Sequence, residues 1–199
     1  MSPENDNASE AWKRFLNPET LRGNIICAAV YIVAYEILKE SIIDKIKTFF
    51  ATEYENLRPV ESARYRANVL SLNRSPLYAS LIWLKENGAV DDADLKKFEA
   101  IKNLRNRFAH DMMPFLAGDG SGYPAEPFGD MVELLRKIEI WWFENLEMAI
   151  APEDFPDDLD LDEVTPGRVF SLQLLIRTAL GSEEEARTLY QEYLEQTRK

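Results

Sequence analysis

The chain of 199 residues is long enough to bury a substantial core, either as one domain with additions or as two small domains. Hydrophobic residues make up 46% and charged residues 29%, proportions that are typical of globular proteins and exclude a disordered chain. The net charge of −12 argues against non-specific binding of nucleic acid over the whole surface, because the phosphate backbone would be repelled.

The number of cysteines and the hydropathy of the chain exclude further classes of protein. Cys27 is the single cysteine, so the chain cannot form an internal disulfide. With one cysteine and one histidine, the sequence also lacks the cysteine and histidine spacing of a zinc site. We therefore expect no metal and no cofactor. The N-terminus, Met1–Asn7, is polar and acidic, unlike a secretory signal. The most apolar stretch, residues 25–50, carries six charged side chains, which argues against a membrane span. These features predict a cytoplasmic protein.

The first predicted element is a long helix. Asn17 is a suitable N-cap, and Pro18 fits the first helical position. Apolar residues then recur at helical spacing as far as Phe50, around much of the helix circumference. Such a helix is expected at the centre of a bundle or shared with a second subunit.

Two shorter helices are predicted next. A connector ends near Pro59, and residues 60–73 can form a modest second helix. Ser75-Pro76 resembles Asn17-Pro18 as a helix start, and the third helix should stop at Asn87-Gly88.

The middle of the chain alternates between strong helices and a loop. Asp91 or the following aspartate caps a helix whose apolar residues extend to Met112. Met113–Pro127 is rich in Gly and Pro, which predicts a loop of a length that is often functional or mobile. Another helix should run from Phe128 to about Ile150.

The last part of the chain begins with an acidic segment. Nine acidic residues and no lysine or arginine occur in residues 144–163, which predicts a solvated or autoinhibitory segment. After Pro166-Gly167 a helix should extend to Gly181, and Ser182 with Glu185 forms a capping box for the final helix.

Together these elements predict an all-α protein, a bundle of about five core helices with an additional C-terminal helical pair and no convincing strand. We expect three regions: a bundle at 18–150, an acidic linker at 151–167, and the helical pair at 168–199, packed on the bundle.

One segment contains residues suited to chemistry. His110 follows Asn106 by four residues, so the two share a helix face and Asn106 can orient the imidazole by hydrogen bonding. Arg105 lies roughly 100° around the axis from Asn106 and flanks the same surface. An arginine fork suits phosphate oxygens, and histidine suits proton transfer near neutrality, so the pair favours phosphodiester cleavage. The simpler alternative is that His110 only caps the helix C-terminus.

Neighbouring cations extend this surface. Residues 96–111 contain five bases against two acids, so a local basic surface can exist in an acidic protein. If the substrate is RNA, Lys102 and Arg107 are the candidate backbone-binding residues. For Arg107, a solvated surface position is the simpler interpretation.

The string Leu104-Arg105-Asn106-Arg107-Phe108-Ala109-His110 resembles the signature of the HEPN superfamily, in which an arginine, a polar residue and a histidine occur late in a helix of an α-bundle. The resemblance covers residues 18–150. It implies a metal-independent ribonuclease of the toxin–antitoxin, phage-defence or RNA-processing type, acting as a dimer whose two motifs meet. It also implies that Arg105 and His110 are catalytic and that Asn106 is the polar neighbour. The implied partners are RNA, a second copy, and a cognate antitoxin or regulatory protein.

A chemical argument also favours a dimer. Cleavage by a neighbouring ribose hydroxyl benefits from a base and an acid on opposite sides of the phosphate. One protomer has a single histidine, whereas a two-fold dimer that brings two motifs together has two.

A second resemblance leads to a different function. The stretch from Pro76 through Gly88 to His110 is similar to mannitol-operon repressor proteins, small α-helical regulators with a similar Leu-Arg-Asn-x-x-Ala-His string. That resemblance implies a non-catalytic regulator or scaffold acting through protein contacts. The enzyme requires Arg105 and His110 to be exposed at a shared cleft, whereas the regulator does not.

Overall fold

The computed structural model describes residues 12–117, 125–156 and 158–197. A helical turn at residues 12–16 comes first. The main helices follow in this order: α1 (Pro18–Phe50), α2 (Ala63–Tyr65), α3 (Pro76–Glu86), α4 (Asp92–His110), α5 (Met112–Leu116), α6 (Ala125–Trp142), α7 (Gly167–Leu180) and α8 (Glu183–Thr197). The predicted all-α fold is confirmed.

Two helices continue through wider turns. A π-helical turn, Arg66–Leu70, extends α2, and a second π-helical turn, Phe143–Glu147, leads from α6 into a last helical turn at Met148–Ile150. A short 3₁₀ helix, Pro152–Asp154, follows. None of the helices in the described part of the chain combines the length and the hydropathy of a membrane span.

Helix α1 is the central element of the bundle, as its apolar circumference predicts. Its start is set by Asn17, whose side-chain oxygen accepts hydrogen bonds from the backbone N–H groups of Glu19 and Thr20. Helices α3, α4, α6 and α7 all contact α1. Its buried residues therefore form the middle of the core, among them Tyr31, Leu38 and Ile46.

Aromatic side chains fill one end of the core. Trp83 of α3 stacks on Trp142 of α6 with ring centroids 5.9 Å apart, and Phe50 at the end of α1 meets Trp83 at 5.9 Å. Offset or edge-to-face ring pairs add stabilisation beyond the area they bury. These contacts join the C-terminal end of α1 to α3 and α6.

A small hairpin corrects the expectation that the chain has no strand. Strand β1 (Tyr54–Glu55) pairs antiparallel with strand β2 (Arg58–Pro59). The turn residues Asn56 and Leu57 both have positive φ, 48° and 62°, the signs of a type I′ turn. Strands of two residues are too short to show alternation, and a leucine in the left-handed region gives no sequence signal. The helix predicted over residues 60–73 is shorter in the structure, where α2 and the π-helical turn that extends it cover residues 63–70.

The loop predicted at Met113–Pro127 is also partly wrong. Met113 to Leu116 belong to α5, and Pro127 lies in the first turn of α6. A proline in a first turn lacks only an N–H that would have no helical partner, so it does not stop the helix. The glycines at 118, 120 and 122 and the proline at 124, on which the loop prediction rested, lie outside the described residues.

The first of the two C-terminal helices joins the same core. Helix α7 buries Val169 and Leu172 in the cluster that contains the α1 and α6 side chains, and α8 packs on α7. The predicted capping box is present, because Ser182 Oγ accepts from the Glu185 N–H at 3.2 Å and the Ser182 N–H donates to the Glu185 carboxylate at 2.8 Å.

The acidic segment is attached to α6 through its backbone. Arg136 donates from Nη2 to the carbonyl oxygens of Leu161 and Asp162 at 2.8 and 3.0 Å. Phe155 packs edge-on against Phe143 at 5.1 Å. Because the bonds use carbonyl oxygens, the described aspartate and glutamate side chains of residues 153–163 remain exposed to solvent.

A buried carboxylate links three helices. Glu139 of α6 is only 4% exposed. Ser41 Oγ donates to its Oε1 at 2.5 Å, and Lys45 Nζ lies 2.6 Å from its Oε2. Arg168 of α7 places Nε 3.9 Å from Oε1. The carboxylate thus sets the position of α1, α6 and α7 relative to one another.

Removing this carboxylate should destabilise the fold. Glu139→Ala leaves the Lys45 ammonium without its buried partner, and we expect the free energy of unfolding to fall by about 3 kcal/mol. Glu144→Ala, which removes an exposed carboxylate from the same helical run, should change it by less than ~0.5 kcal/mol. Urea denaturation followed by circular dichroism measures both, and equal losses would contradict the assigned role.

Candidate functional site

Helix α4 begins at a well-formed cap. Asp91 accepts hydrogen bonds from the N–H groups of Ala93 and Asp94, and the Asp94 carboxylate accepts from the Asp91 N–H, which completes a capping box. Lys137 of α6 bridges the two carboxylates. The backbone N–H of Asp94, followed by the Lys137 ammonium, lowers the pKa of Asp91 to about 2. The N-cap of α4 is therefore Asp91, one of the two predicted positions.

The C-terminal half of α4 is anchored by Phe108. Its ring lies between Tyr31 of α1 and Phe115 of α5, at centroid distances of 5.2 and 4.6 Å. With Phe108 facing the core, Arg105 and Asn106 lie half-buried at the edge of the bundle, and Arg107 and His110 are exposed.

Arg105 is held by side chains of α1. Its Nη2 donates to Glu36 Oε1 at 3.1 Å, and its guanidinium lies 5.4 Å from the centre of the Tyr35 ring. Nη1 donates to Asn106 Oδ1 at 3.4 Å. Lys39, one turn after Glu36, binds the other oxygen of the same carboxylate. Glu36 therefore lies between two cations.

Lys102 lies one turn before Arg105 on the same face of α4. Its ammonium donates to the Tyr78 hydroxyl and lies 4.5 Å from the centre of the Tyr78 ring. The hydrogen bond with Tyr78 raises the pKa of Lys102, so its positive charge is retained. Burial raises the pKa of Tyr35, while Arg105 and Lys102 both oppose this rise, so both cations act on one ring.

We call Glu36, Lys39, Lys102 and Arg105 the charged cluster. Sequence reasoning identified its two α4 members but missed Tyr35, Glu36, Lys39 and Tyr78. Glu36 lies 69 residues from Arg105 along the chain, and in the sequence its charge indicates only that this apolar stretch does not span a membrane. No spacing rule connects residues that meet only when α1 and α4 pack together.

The structure separates the two proposed catalytic groups along α4. Asn106 bonds Arg105, and among the described residues no hydrogen bond joins Asn106 to His110. The His110 imidazole is exposed in the last turn of α4 and has no hydrogen-bond partner within the described ranges. Arg107 is exposed as well and forms no ion pair with a described residue. His110 is thus accessible from solvent.

Helix α5 follows α4 directly and is held to α1 by hydrogen bonds. The buried Asn24 of α1 donates from Nδ2 to the carbonyl oxygens of Phe115 and Leu116, both at 3.3 Å. The Asp111 N–H donates to the Arg107 carbonyl oxygen at 2.8 Å. These bonds satisfy carbonyl groups at two helix ends and fix the backbone that follows His110.

No group of three or more histidine, cysteine, aspartate or glutamate side chains is placed to hold a metal ion in the described ranges. Comparisons with models of protein families, with curated proteins and with solved structures found no match. The function of the chain is therefore inferred from the residues of α1 and α4.

The anchor at Asn24 can be tested directly. Asn24→Ala removes the Nδ2 donor from the Phe115 and Leu116 carbonyl groups, and we expect a loss of about 1–2 kcal/mol in the free energy of unfolding. Amide hydrogen exchange in residues 112–117 should become faster than elsewhere in the bundle. Asn145→Ala, which removes an exposed bond within one helix, is the control. Unchanged exchange in residues 112–117 would show that Asn24 does not hold α5.

Proposed function

We propose that this chain is a metal-independent endoribonuclease of HEPN type, active as a homodimer and of the kind that serves as a toxin or phage-defence effector. One observation carries the proposal. A fixed arginine, Arg105, lies at the bundle edge between Tyr35 and Glu36, and His110, whose imidazole has no hydrogen-bond partner among the described residues, is exposed in the last turn of the same helix.

The roles follow from the side-chain chemistry. Arg105 binds the non-bridging oxygens of the phosphate, and Lys102 and Arg107 bind the neighbouring RNA backbone. The ribose 2′-hydroxyl loses its proton to one imidazole and attacks phosphorus. The P–O5′ bond breaks, leaving a 2′,3′-cyclic phosphate, and the leaving 5′-oxygen takes a proton from a second imidazole. Asn106 keeps Arg105 in place through its side-chain oxygen.

The second imidazole comes from a second copy of the chain. Helix α1 exposes an apolar stripe of Ile25, Ile26, Ala29 and Val33, whose three large members are 46%, 43% and 47% exposed. Val33 lies one turn before Glu36, so the stripe adjoins the charged cluster. A copy that covers this stripe brings its own α4 close to the motif and supplies the missing acid–base group.

The distribution of charge is compatible with an anionic substrate. The acidic segment is attached to the α6 helical run through Arg136 and Phe143. Lys39, Lys102 and Arg105 bring three positive charges to the face where α1 meets α4.

A second function has one observation in its favour. Arg105 is engaged by Glu36, which is also the arrangement expected of a structural ion pair. On this alternative the chain is a non-catalytic helical regulator or scaffold, similar to mannitol-operon repressors, and the motif stabilises α4 against α1. It then cleaves no RNA, and defects of the variants appear as lost stability or lost partner binding.

The catalytic proposal predicts distinct losses at two positions. His110→Ala and Arg105→Lys should each slow RNA cleavage by ~10²- to 10⁴-fold, the first by removing a proton-transfer group and the second by removing the guanidinium fork. Lys96→Ala, the matched control, removes an exposed cation near the start of α4 that has no assigned role in RNA binding, and it should reduce cleavage by less than about threefold. Cleavage of a mixed RNA pool by purified proteins is the measurement, with helix content and oligomeric state followed alongside.

Two outcomes count against the enzyme. Equal cleavage by wild type and His110→Ala would indicate a contaminating nuclease. Loss of cleavage on addition of EDTA would contradict the metal-independent mechanism.

The dimer has its own test. Val33→Asp places a charge at the end of the α1 stripe that adjoins the charged cluster, and we expect it to convert a dimer into a folded monomer, because burying a carboxylate in an interface is costly. Leu57→Asp alters a more exposed apolar residue, 97% exposed at the hairpin turn, and should leave the dimer intact. Light scattering coupled to gel filtration at micromolar concentration measures both. A monomeric wild type, or a dimeric Val33→Asp, rules out this interface.

A further inference from the structure

The guanidinium of Arg105 has N–H donors that form no hydrogen bond with the described residues. Arginine carries five N–H donors, and in this structure two bonds from Arg105 go to described residues, one to Glu36 and one to Asn106. The bond to Asn106 is long, at 3.4 Å, and Nε is buried without a hydrogen-bond partner among the described residues. Arginine forks match planar or tetrahedral oxyanions through paired N–H groups. Arg105 can therefore bind an oxyanion by donating hydrogen bonds to it.

Glu36 occupies the position of such an anion. Its carboxylate receives Lys39 on one oxygen and Arg105 on the other. The hydrogen bond from Lys39, and then that from Arg105, lower the pKa of Glu36 against the effect of burial, so the group is an anion at neutral pH. Two cations of the protein thus bind one carboxylate of the same chain.

The surrounding side chains hold the cations in place. Tyr35 lies beneath Arg105, and Tyr78 holds Lys102 through its hydroxyl and its ring. Glu99, one turn before Lys102, acts on it electrostatically without forming an ion pair within the described residues. Lys39 and Arg105 thus share the single carboxylate of Glu36, and Lys102 forms no ion pair with a described residue, so these contacts do not neutralise the three cations.

The pair between Glu36 and Arg105 is open to solvent. About a third of each side chain is exposed, 35% for Glu36 and 28% for Arg105. Ion pairs with this degree of exposure are weak, because water screens them. An incoming anion that also meets Lys39 and Lys102 can therefore replace the carboxylate.

We infer that Lys39, Lys102 and Arg105 form a binding site for a phosphodiester group, and that Glu36 is the built-in counter-ion that this group displaces from Arg105. The inference rests on the proposed function in taking the RNA backbone as the source of the phosphodiester. It adds Lys39 to the residues that bind the substrate. It also implies that Glu36 weakens substrate binding, because its carboxylate competes with the phosphodiester for Arg105.

The test compares two glutamates of α1, of which Glu36 contacts Arg105 and Glu40 does not. Glu36→Gln and Glu40→Gln each remove one negative charge, but Glu40 is exposed one turn further along and does not contact Arg105. The probe is a fluorescent 2′-O-methyl oligoribonucleotide, which cannot be cleaved through its 2′-oxygen. Fluorescence anisotropy at fixed ionic strength should show about tenfold tighter binding by Glu36→Gln, and a change within about twofold for Glu40→Gln.

Two further variants make the assignment specific. Arg105→Gln added to Glu36→Gln should remove the gain, because the freed fork is lost. Lys39→Gln should weaken binding by about fivefold, and it remains informative if Glu36→Gln does not fold. Unchanged binding by Lys39→Gln overturns the site.

The outcomes separate this inference from the nuclease. Equal affinity of Glu36→Gln and Glu40→Gln, or no binding by any of the proteins, overturns the inference even if unmodified RNA is cleaved. Tighter binding by Glu36→Gln alone supports the phosphodiester site even if wild type cleaves no RNA, and in that case only the nuclease proposal fails.

Discussion

The buried carboxylate of Glu139 is the interaction on which the arrangement of the bundle depends. It draws Ser41 and Lys45 of α1 and Arg168 of α7 to one point on α6. A charge that is almost completely buried is tolerated only when partners surround it, so alternative registers of these helices would leave it uncompensated. The apolar residues around it set the strength of the packing, whereas Glu139 restricts how α1 can lie against α6 and α7.

Helix α1 serves the core and the site with adjacent residues. Tyr35 is buried against Phe98 and supports Arg105, while Glu36, about 100° further around the axis, reaches the edge and binds Arg105 directly. The exposed stripe that ends at Val33 lies on the preceding turns of the helix. Because one rigid helix carries all three features, a displacement of α1 would alter the core, the charged cluster and the proposed dimer surface together.

Much of the fold was predictable because its determinants are local. The cap at Asn17, the capping box at Ser182 and the apolar period of α1 are each contained in a few consecutive residues. The errors arose where distant contacts override local preference. Pro127 favours a loop in the sequence, but it lies in the first turn of a helix. The hairpin turn places Leu57 in a left-handed conformation that leucine seldom adopts.

The sequence alone determined that the chain is helical, where most helices start, and which residues of α4 form the candidate motif, because capping and helical periodicity act over one or two turns. The tertiary structure alone decided which side chains surround that motif. Glu36 and Tyr78 reach Arg105 and Lys102 only after α1 and α3 pack beside α4. Their positions depend on the burial of apolar faces far apart in the chain, for which no local spacing exists.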